Sequence, residues 1–127
     1  MNQKRPVNLD LASFKFPSTA VASILHRVSG VVIFLLLPFI LYILNLSLYS
    51  RSSFDELQAL LATQHGKFGI WMFASALTYH VIAGIRHILL DLGIGEDIAK
   101  AKRSALAVIV VAFITIILLG VWICCPM

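Results

Sequence analysis

Residues 28–50 read VSGVVIFLLLPFILYILNLSLYS and contain no charged side chain. Two more uncharged stretches follow, at residues 68–85 and 104–127. A helix needs about 20 apolar residues to cross the hydrocarbon core of a bilayer, and the flanking residues bring each stretch to that length. The bilayer offers the backbone no hydrogen-bonding partner, so a stretch of this kind takes the form of an α-helix. The sequence therefore predicts an all-α integral membrane protein with three transmembrane helices.

We predict a single membrane-anchor domain over residues 1–127. It consists of an N-terminal segment at 1–19 and spans at about 20–49, 67–92 and 103–124. The composition is 60% hydrophobic and 13% charged, which leaves no room for a separate soluble domain. Because three helices make a poor bundle on their own, we expect a second chain to complete a multi-subunit helical bundle.

Several residues mark where the helices begin or end. Ser18 or Thr19 is predicted to cap the first span. Residues 53–56 read SFDE and fit a capping box with Glu56 at the third helical position, which predicts a short helix on the membrane surface. Gly93 is predicted to end the second span, because glycine readily adopts the left-handed conformation found after helices.

Positive charges are distributed unevenly between the two sides of the membrane. Lys4, Arg5 and Lys15 precede the first span, and Arg27 lies at its edge. Arg51 and Lys67 lie in or beside the first loop, and Lys100, Lys102 and Arg103 lie in or beside the second. By the positive-inside rule, the N-terminus and the second loop face the cytoplasm, whereas the first loop and the C-terminus face the periplasm. This topology accounts for the net charge of +4, so we expect no nucleic-acid partner. No signal or transit peptide is recognisable, which favours a bacterial inner membrane or a mature organellar protein.

The second predicted span contains ionisable residues at membrane depth, where charge is costly and usually functional. His80 lies near the middle of the span. It is a histidine satisfied by a neighbouring helix, a proton-relay residue, or an axial ligand of haem iron. Gly84 and His87 follow at helical spacing on the same face, where glycine leaves room for a flat macrocycle. Arg86 and Arg27 are expected at the depth of the two anionic haem propionates, which favours the haem interpretation.

Two other histidines, His87 and His65, lie towards the two ends of this span or just outside it. Asp91 follows His87 by four residues, so the two side chains can pair on one helical face. Alternatively, His87 donates a hydrogen bond to a propionate or helps to move protons. His65 lies in the first loop, on the opposite side of the membrane, and is predicted to be a solvated loop histidine.

The first span begins with a polar face. Ser23, His26, Arg27 and Gly30 follow the spacing i, i+3, i+4 and i+7. Arg27 taken alone could extend its charge to the lipid headgroups. However, a hydroxyl and a guanidinium at the membrane edge can also donate hydrogen bonds to a quinone carbonyl. They would stabilise the negative charge that develops on its oxygen during reduction.

Three motifs in this order, placed on a three-span profile, resemble the cytochrome b subunit of bacterial succinate dehydrogenase, which is its larger membrane-anchor subunit. The motifs are RPVNLDL at 5–11, SILHRVSG at 23–30, and His80 followed by GIRH at 84–87 and DLG at 91–93. The resemblance covers most of the chain, although the first loop and the third span contribute hydropathy alone. Leu90 departs from the aromatic residue or methionine that the family favours, a conservative difference that affects only fine packing.

The resemblance implies specific roles. His80 would be one axial ligand of a haem b iron, and a second membrane-anchor subunit would supply the other ligand. Ser23 and Arg27 would line a ubiquinone site completed by that subunit and by an iron–sulfur subunit. His26, Arg27 and His87 would lie near the haem propionates. Succinate oxidation would belong to a flavoprotein subunit, because this chain contains no glycine-rich nucleotide motif and no cysteine cluster, and none of its residues is expected to be catalytic in that step.

The predicted function is therefore that of a haem b- and quinone-binding anchor of succinate:ubiquinone oxidoreductase, or complex II. Within the surrounding lipid, this anchor would pass electrons from iron–sulfur centres to ubiquinone. One alternative is a self-contained cytochrome in which His26 and His87 hold the haem and no quinone binds. Another is a proton-coupled transporter or structural membrane subunit without a cofactor.

Overall fold

A computed structural model describes residues 17–125, in which helices are joined by short connections. The helices are α1 (Ser18–Tyr49), α2 (Arg51–Leu61), α3 (Gln64–Asp91) and α4 (Ile98–Cys124). Of these, α1, α3 and α4 are long and apolar enough to cross a membrane. The predicted all-α fold with three transmembrane helices is confirmed. The RPVNLDL motif and most of the predicted N-terminal segment lie outside the described residues.

The start of α1 differs from the prediction. Its N-cap is Pro17, which forms no side-chain capping hydrogen bond. Ser18 is already helical, and its hydroxyl donates to the backbone carbonyl of Lys102 at 3.2 Å. The prediction that Ser18 or Thr19 caps the helix was therefore wrong. The Ser18 contact instead places the start of α1 beside the start of α4.

The short helix α2 is present, but a different pair of residues caps it. Ser50 has an extended backbone, with φ −159°, and separates α1 from α2. Its hydroxyl accepts from the backbone N–H of Ser53, and the Ser53 hydroxyl accepts from the backbone N–H of Ser50. The predicted capping box from Ser53 to Glu56 was wrong, because the chain has already entered the helix at Arg51.

Gly93 follows α3 with a φ of +82°, in the left-handed region. The Gly93 N–H donates to the carbonyl of Leu90 at 3.0 Å, and the Ile94 N–H donates to the carbonyl of Leu89 at 2.9 Å. These two bonds form a Schellman motif, which satisfies carbonyls that the helix leaves without partners. The predicted role of Gly93 is confirmed, and the turn directs the chain towards α4.

The transmembrane helices pack closely through small side chains. Ala22 and Ala105 are fully buried, and Ala83 and Ala112 are each 1% exposed. Within the described residues, no large side chain is buried to the same degree. Lipid tails are as apolar as leucine, so helices in a bilayer associate through close van der Waals packing, which small residues permit.

Large apolar side chains point outwards from this alanine-lined core. Phe34, Leu48 and Trp122 are 73%, 77% and 69% exposed, respectively. In a membrane, surfaces of this kind contact lipid tails or the helices of other subunits. The exposed faces therefore provide the area over which a larger bundle could be built.

Hydrogen bonds between helices complete the packing. The Tyr79 hydroxyl on α3 donates to the carbonyl of Ala22 on α1 at 2.8 Å. Near the other end of α3, the Trp71 indole N–H donates to the carbonyl of Ile116 on α4 at 2.9 Å. Both bonds pair a side-chain donor with a backbone carbonyl of the neighbouring helix, so they fix α1 and α4 against α3.

We predict that Ala105→Leu destabilises the bundle and that Ala107→Leu does not. Ala105 is fully buried, whereas Ala107, two residues further along α4, is exposed. Forcing a leucine into the packed position should lower the free energy of unfolding by about 1–3 kcal/mol. The measurement is a sodium dodecyl sulfate titration of the protein in mixed micelles, followed by circular dichroism. Equal losses for the two variants would contradict the packing described above.

Candidate functional site

Three histidines meet at the interface of α1 and α3, and we call His26, His80 and His87 the histidine cluster. The rings of His26 and His80 are stacked, with centroids 4.1 Å apart and planes inclined by 11°. The ring of His87 lies 4.9 Å from that of His26 and is tilted by 54°. Three of the predicted site residues are therefore neighbours in space.

Two glycines provide the room in which these rings pack. A Cβ atom on Gly30 would lie 3.1 Å from Cε1 of His80, which is tighter than an ordinary van der Waals contact. A Cβ atom on Gly84 would lie 3.5 Å from Nε2 of His26. Gly84 therefore faces His26, whereas the sequence placed it on the face of His80. Gly30 is the glycine that makes space for the His80 ring.

His80 is held by hydrogen bonds to α1. Its Nδ1 lies 3.0 Å from the Ser29 hydroxyl oxygen and 3.2 Å from the carbonyl oxygen of His26. The Ser29 hydroxyl itself donates to that carbonyl at 2.7 Å. The two hydrogen bonds recorded for the His80 side chain within residues 17–125 both use Nδ1, so one edge of the ring is anchored to α1.

The histidine cluster is half-buried and lies well away from the end of the bundle along the helix axes. His80 is 11 residues from the last residue of α3, Asp91, which corresponds to about 16 Å along the helix axis. His26 is 8 residues from the first residue of α1, Ser18, which corresponds to about 12 Å. Consecutive spans run in opposite directions, so both distances are measured from the same end of the bundle.

Ser23 and Arg27 lie one turn apart on α1, towards the end where that helix begins. Ser23 is half-buried and Arg27 is exposed. The exposed cations Lys102 and Arg103 lie at the same end, because the Ser18 hydroxyl contacts the Lys102 carbonyl. Ser23 therefore lies nearer the start of α1 than the histidine cluster, whereas Arg27 adjoins His26 at the depth of the cluster.

Arg86 does not take part in this arrangement. It is only 6% exposed, and its Nε donates to the Ser104 hydroxyl at 3.0 Å. Its Nη2 donates to the carbonyl of Ala101 at 3.2 Å. The expectation that Arg86 accompanies Arg27 near haem propionates is therefore wrong for this structure. Helical geometry turns the side chain towards α4, where it joins two helices.

Two further expectations change at the ends of α3. Within residues 17–125 the recorded ion pair joins Arg51 to Asp55 at 3.4 Å, so the proposed pairing of His87 with Asp91 is not present. Asp91 is exposed, whereas His87 is half-buried and turned towards His26. His65 is exposed as expected, but it belongs to the first turn of α3 and not to a loop.

The histidine cluster offers imidazole nitrogens, but it does not have the arrangement of a bare-metal site. No group of three or more histidine, cysteine, aspartate or glutamate side chains in the described part of the chain has the arrangement of a metal site. Haem iron needs only one imidazole from each side of the macrocycle. The recorded hydrogen bonds of His80 use Nδ1, so Nε2 takes no part in them.

Ser29 is a site residue to which the sequence analysis gave no role. It is 6% exposed and bridges the His26 carbonyl and the His80 ring. A signal was present, because Ser29 follows His26 by three residues and therefore lies on a neighbouring face of the same helix. The spacing alone does not reveal that α3 brings His80 against it.

The sequence matches the family described as the succinate dehydrogenase/fumarate reductase transmembrane subunit over residues 1–119. It is 48% identical to the succinate dehydrogenase cytochrome b556 subunit of Coxiella burnetii, over 97% of this chain and 99% of that protein. It is 30% identical to the cytochrome b556 subunit of Rickettsia typhi, over 93% of this chain and 92% of the relative. It is 31% identical to the succinate dehydrogenase cytochrome b560 subunit of Porphyra purpurea, over 85% of this chain and 90% of that protein.

These matches cover the SILHRVSG motif, His80 and the residues that follow it, so the resemblance drawn from those motifs is confirmed. The relatives are subunits of an enzyme complex and carry cytochrome in their names. Together with three apolar helices long enough to span a bilayer, the matches show that the chain belongs to the family of transmembrane subunits of succinate dehydrogenase and fumarate reductase.

Proposed function

We propose that this chain is the haem b- and quinone-binding anchor of a succinate:ubiquinone oxidoreductase, and that it helps to pass electrons from iron–sulfur centres to ubiquinone. The observation that carries the proposal is the position of His80. Its half-buried ring lies far from the end of α3, beside Gly30, and its recorded hydrogen bonds use Nδ1. A neutral imidazole anchored in this way presents Nε2 as a ligand nitrogen.

In this proposal, His80 is one axial ligand of a haem b iron, and a second membrane-anchor subunit supplies the other ligand. The haem provides one-electron redox chemistry when it is bound. His80 and the ligand from the second subunit would hold the haem at a fixed depth between the two subunits. The large exposed apolar surface of α1, including Phe34 and Leu48, supports the presence of a partner helix or lipid on this chain.

The propionates of such a haem require cationic or hydrogen-bonding partners. His26 and His87 adjoin His80 in the histidine cluster, and Arg27 follows His26 directly on α1. Placed towards the start of α1, these three side chains are suited to stabilise the two carboxylates. Arg86 is excluded from this role because its side chain bonds α4.

We assign the quinone site to Ser23 and Arg27. The Ser23 hydroxyl and the Arg27 guanidinium can donate hydrogen bonds to the carbonyl oxygens of ubiquinone near the membrane edge. Such donors favour reduction, because negative charge builds on the oxygen as electrons arrive. Arg27 is exposed, so its donors remain accessible to a substrate that approaches from outside this chain. The second anchor subunit and the iron–sulfur subunit would close the site.

The orientation follows from the cations at one end of the bundle. The bond from Ser18 to Lys102 puts the start of α1 next to the start of α4, where Lys100 and Arg103 also lie. The positive-inside rule assigns that end to the cytoplasm, and the end of α4 to the periplasm, in a bacterial inner membrane. The iron–sulfur and flavoprotein subunits would therefore dock at the end that carries Ser23 and Arg27.

The self-contained cytochrome receives no support from the histidine geometry. It requires His26 and His87 to bind iron from opposite faces of one macrocycle. Their ring centroids are 4.9 Å apart, and the rings are in direct contact. That separation leaves no room for a porphyrin between them. No observation specifically favours a transporter or a structural subunit without a cofactor.

We predict that His80→Leu changes the absorption spectrum of the dithionite-reduced, purified complex, because leucine cannot ligate iron. The loss of one axial ligand should weaken haem binding by roughly 10- to 100-fold or more, since even outer-shell changes have effects of that size. His65→Leu is the matched control, because His65 is an exposed histidine in the first turn of the same helix. An unchanged reduced spectrum in His80→Leu would remove this residue as a ligand.

We predict that Arg27→Leu impairs quinone reduction far more than succinate oxidation by an artificial soluble acceptor. The loss of a charged hydrogen bond of about 1.5–3 kcal/mol corresponds to a roughly 10- to 100-fold lower kcat/KM for ubiquinone. Both activities are measured on the same purified complex. Arg103→Leu controls for the loss of an exposed cation at the same end of the bundle. Equal losses in both assays for Arg27→Leu would count against a quinone role.

A further inference from the structure

We propose that Ser29 is a positioning residue for His80: it holds the proton of the imidazole on Nδ1 and thereby keeps Nε2 available as the iron ligand. The inference rests on the proposed function, in which His80 ligates haem. It concerns a contact that lies wholly within this chain, between α1 and α3. Three polar atoms meet at this contact: the Ser29 hydroxyl oxygen, Nδ1 of His80 and the carbonyl oxygen of His26.

The Ser29 hydroxyl faces two polar atoms, the carbonyl oxygen of His26 and Nδ1 of His80. A serine hydroxyl has one hydrogen to donate and two lone pairs that accept. Its oxygen lies 2.7 Å from the carbonyl oxygen of His26, and a carbonyl oxygen can only accept. The single hydrogen of Ser29 is therefore directed at that carbonyl. A lone pair of the same oxygen is left to face Nδ1 of His80, 3.0 Å away.

Nδ1 of His80 lies within hydrogen-bonding distance of two oxygen atoms. Nδ1 of His80 is also 3.2 Å from the carbonyl oxygen of His26. Two oxygen lone pairs thus converge on Nδ1, which is a favourable arrangement only if Nδ1 carries a hydrogen. If Ser29 turned its hydrogen towards a bare Nδ1, the lone pair on that nitrogen would still face the His26 carbonyl. The contacts therefore select the tautomer that is protonated on Nδ1.

A hydrogen on Nδ1 determines which ring nitrogen of His80 can bind iron. A neutral imidazole has one N–H, so a hydrogen on Nδ1 leaves a lone pair on Nε2. A hydrogen bond from the second ring nitrogen to an acceptor fixes the orientation of a ligating histidine and makes it a stronger electron donor. Ser29 is 6% exposed, so water has little access to replace it. Gly30, at the adjacent position on α1, leaves the space that the ring occupies.

The Ser29 oxygen should lower the reduction potential of a haem bound to His80. An acceptor that polarises the Nδ1–H bond increases electron donation from Nε2, which stabilises ferric over ferrous iron. Removing the Ser29 oxygen should therefore favour the ferrous state. The His26 carbonyl still accepts from Nδ1, so we expect a partial effect. At a fixed ambient potential, the ferrous-to-ferric ratio should rise roughly three- to tenfold, which corresponds to about 28–59 mV for a one-electron couple.

The test is a spectroscopic redox titration of haem b in the purified complex, with Ser29→Ala and Ser29→Cys as the variants. Alanine removes the acceptor, whereas cysteine keeps a side chain there and replaces the oxygen with a weakly accepting sulfur. Ser29→Thr retains the hydroxyl and should restore the potential of the unmodified complex. If Ser29→Ala does not assemble, Ser29→Cys carries the same expectation.

Ser47→Ala is the matched control. The Ser47 hydroxyl lies on the same helix and donates to the carbonyl of Leu44 at 2.7 Å, as Ser29 does to His26. Its contact does not include a histidine. A raised potential in both Ser29→Ala and Ser29→Cys, with Ser29→Thr and Ser47→Ala unchanged, is the expected result. An equal shift in Ser47→Ala would indicate a general helix effect and overturn the inference.

The remaining outcomes separate this inference from the proposed function. If the unmodified complex contains haem that depends on His80, and the Ser29 variants keep its potential and spectrum, the positioning role is wrong and the proposed function stands. If the unmodified complex contains no haem, or if His80→Leu leaves the reduced spectrum unchanged, the haem ligation in the proposed function itself fails.

Discussion

The structure depends on one constraint, which is that a polar group inside a bilayer must find its partner within the protein. Water is absent from the hydrocarbon core, and an unpaired donor or acceptor there costs several kcal/mol. In the part of the chain that the structure describes, no buried side-chain nitrogen or oxygen lacks a hydrogen bond. Tyr79, Trp71 and Arg86 each bond a backbone carbonyl of a neighbouring helix. These contacts determine how α1 and α4 are arranged around α3.

Close approach of the helix backbones makes these bonds possible. Ala22 is fully buried, and the carbonyl of the same residue accepts the Tyr79 hydroxyl. A larger side chain at this position would separate α1 from α3 and lengthen that bond. Gly30 acts in the same way beside His80, where an added Cβ would lie 3.1 Å from the ring. Small residues and polar contacts are therefore two parts of one packing arrangement.

The sequence predicts the three spans well, because a charge-free run of about 20 residues has few other structures available to it. It also predicts Gly93 as the end of α3, since a left-handed residue is required there. The cap of α2 was predicted three residues too late, because several serines compete locally and only the position where α1 ends decides between them. Local patterns therefore fix the elements, whereas their boundaries depend on neighbouring elements.

In the candidate site, too, local patterns predict some features, whereas contacts with neighbouring helices decide the others. Spacing along one helix places Ser23, His26 and Arg27 on a common polar face, but it cannot show which side chain of another helix meets them. Arg86 was expected beside Arg27 near the haem propionates, yet it bonds Ser104 because α4 packs on that side of α3. The spacing along α1 likewise does not reveal the contact of Ser29 with His80, because α3 brings the two side chains within 3.0 Å. Residue type indicates which chemistry is possible, and contacts between helices decide which residue performs it.

The pairing of polar groups also determines what each residue can still bind. Arg86 uses its Nε and Nη2 within the bundle, so it serves the packing of α4. Arg27 lies exposed on α1, which leaves its guanidinium accessible from outside the chain. His80 is intermediate, because its Nδ1 is satisfied by α1 and its Nε2 is not part of those bonds. His80 and Arg27 thus keep donors or lone pairs that the packing does not use, whereas Arg86 commits its Nε and Nη2 to the bundle.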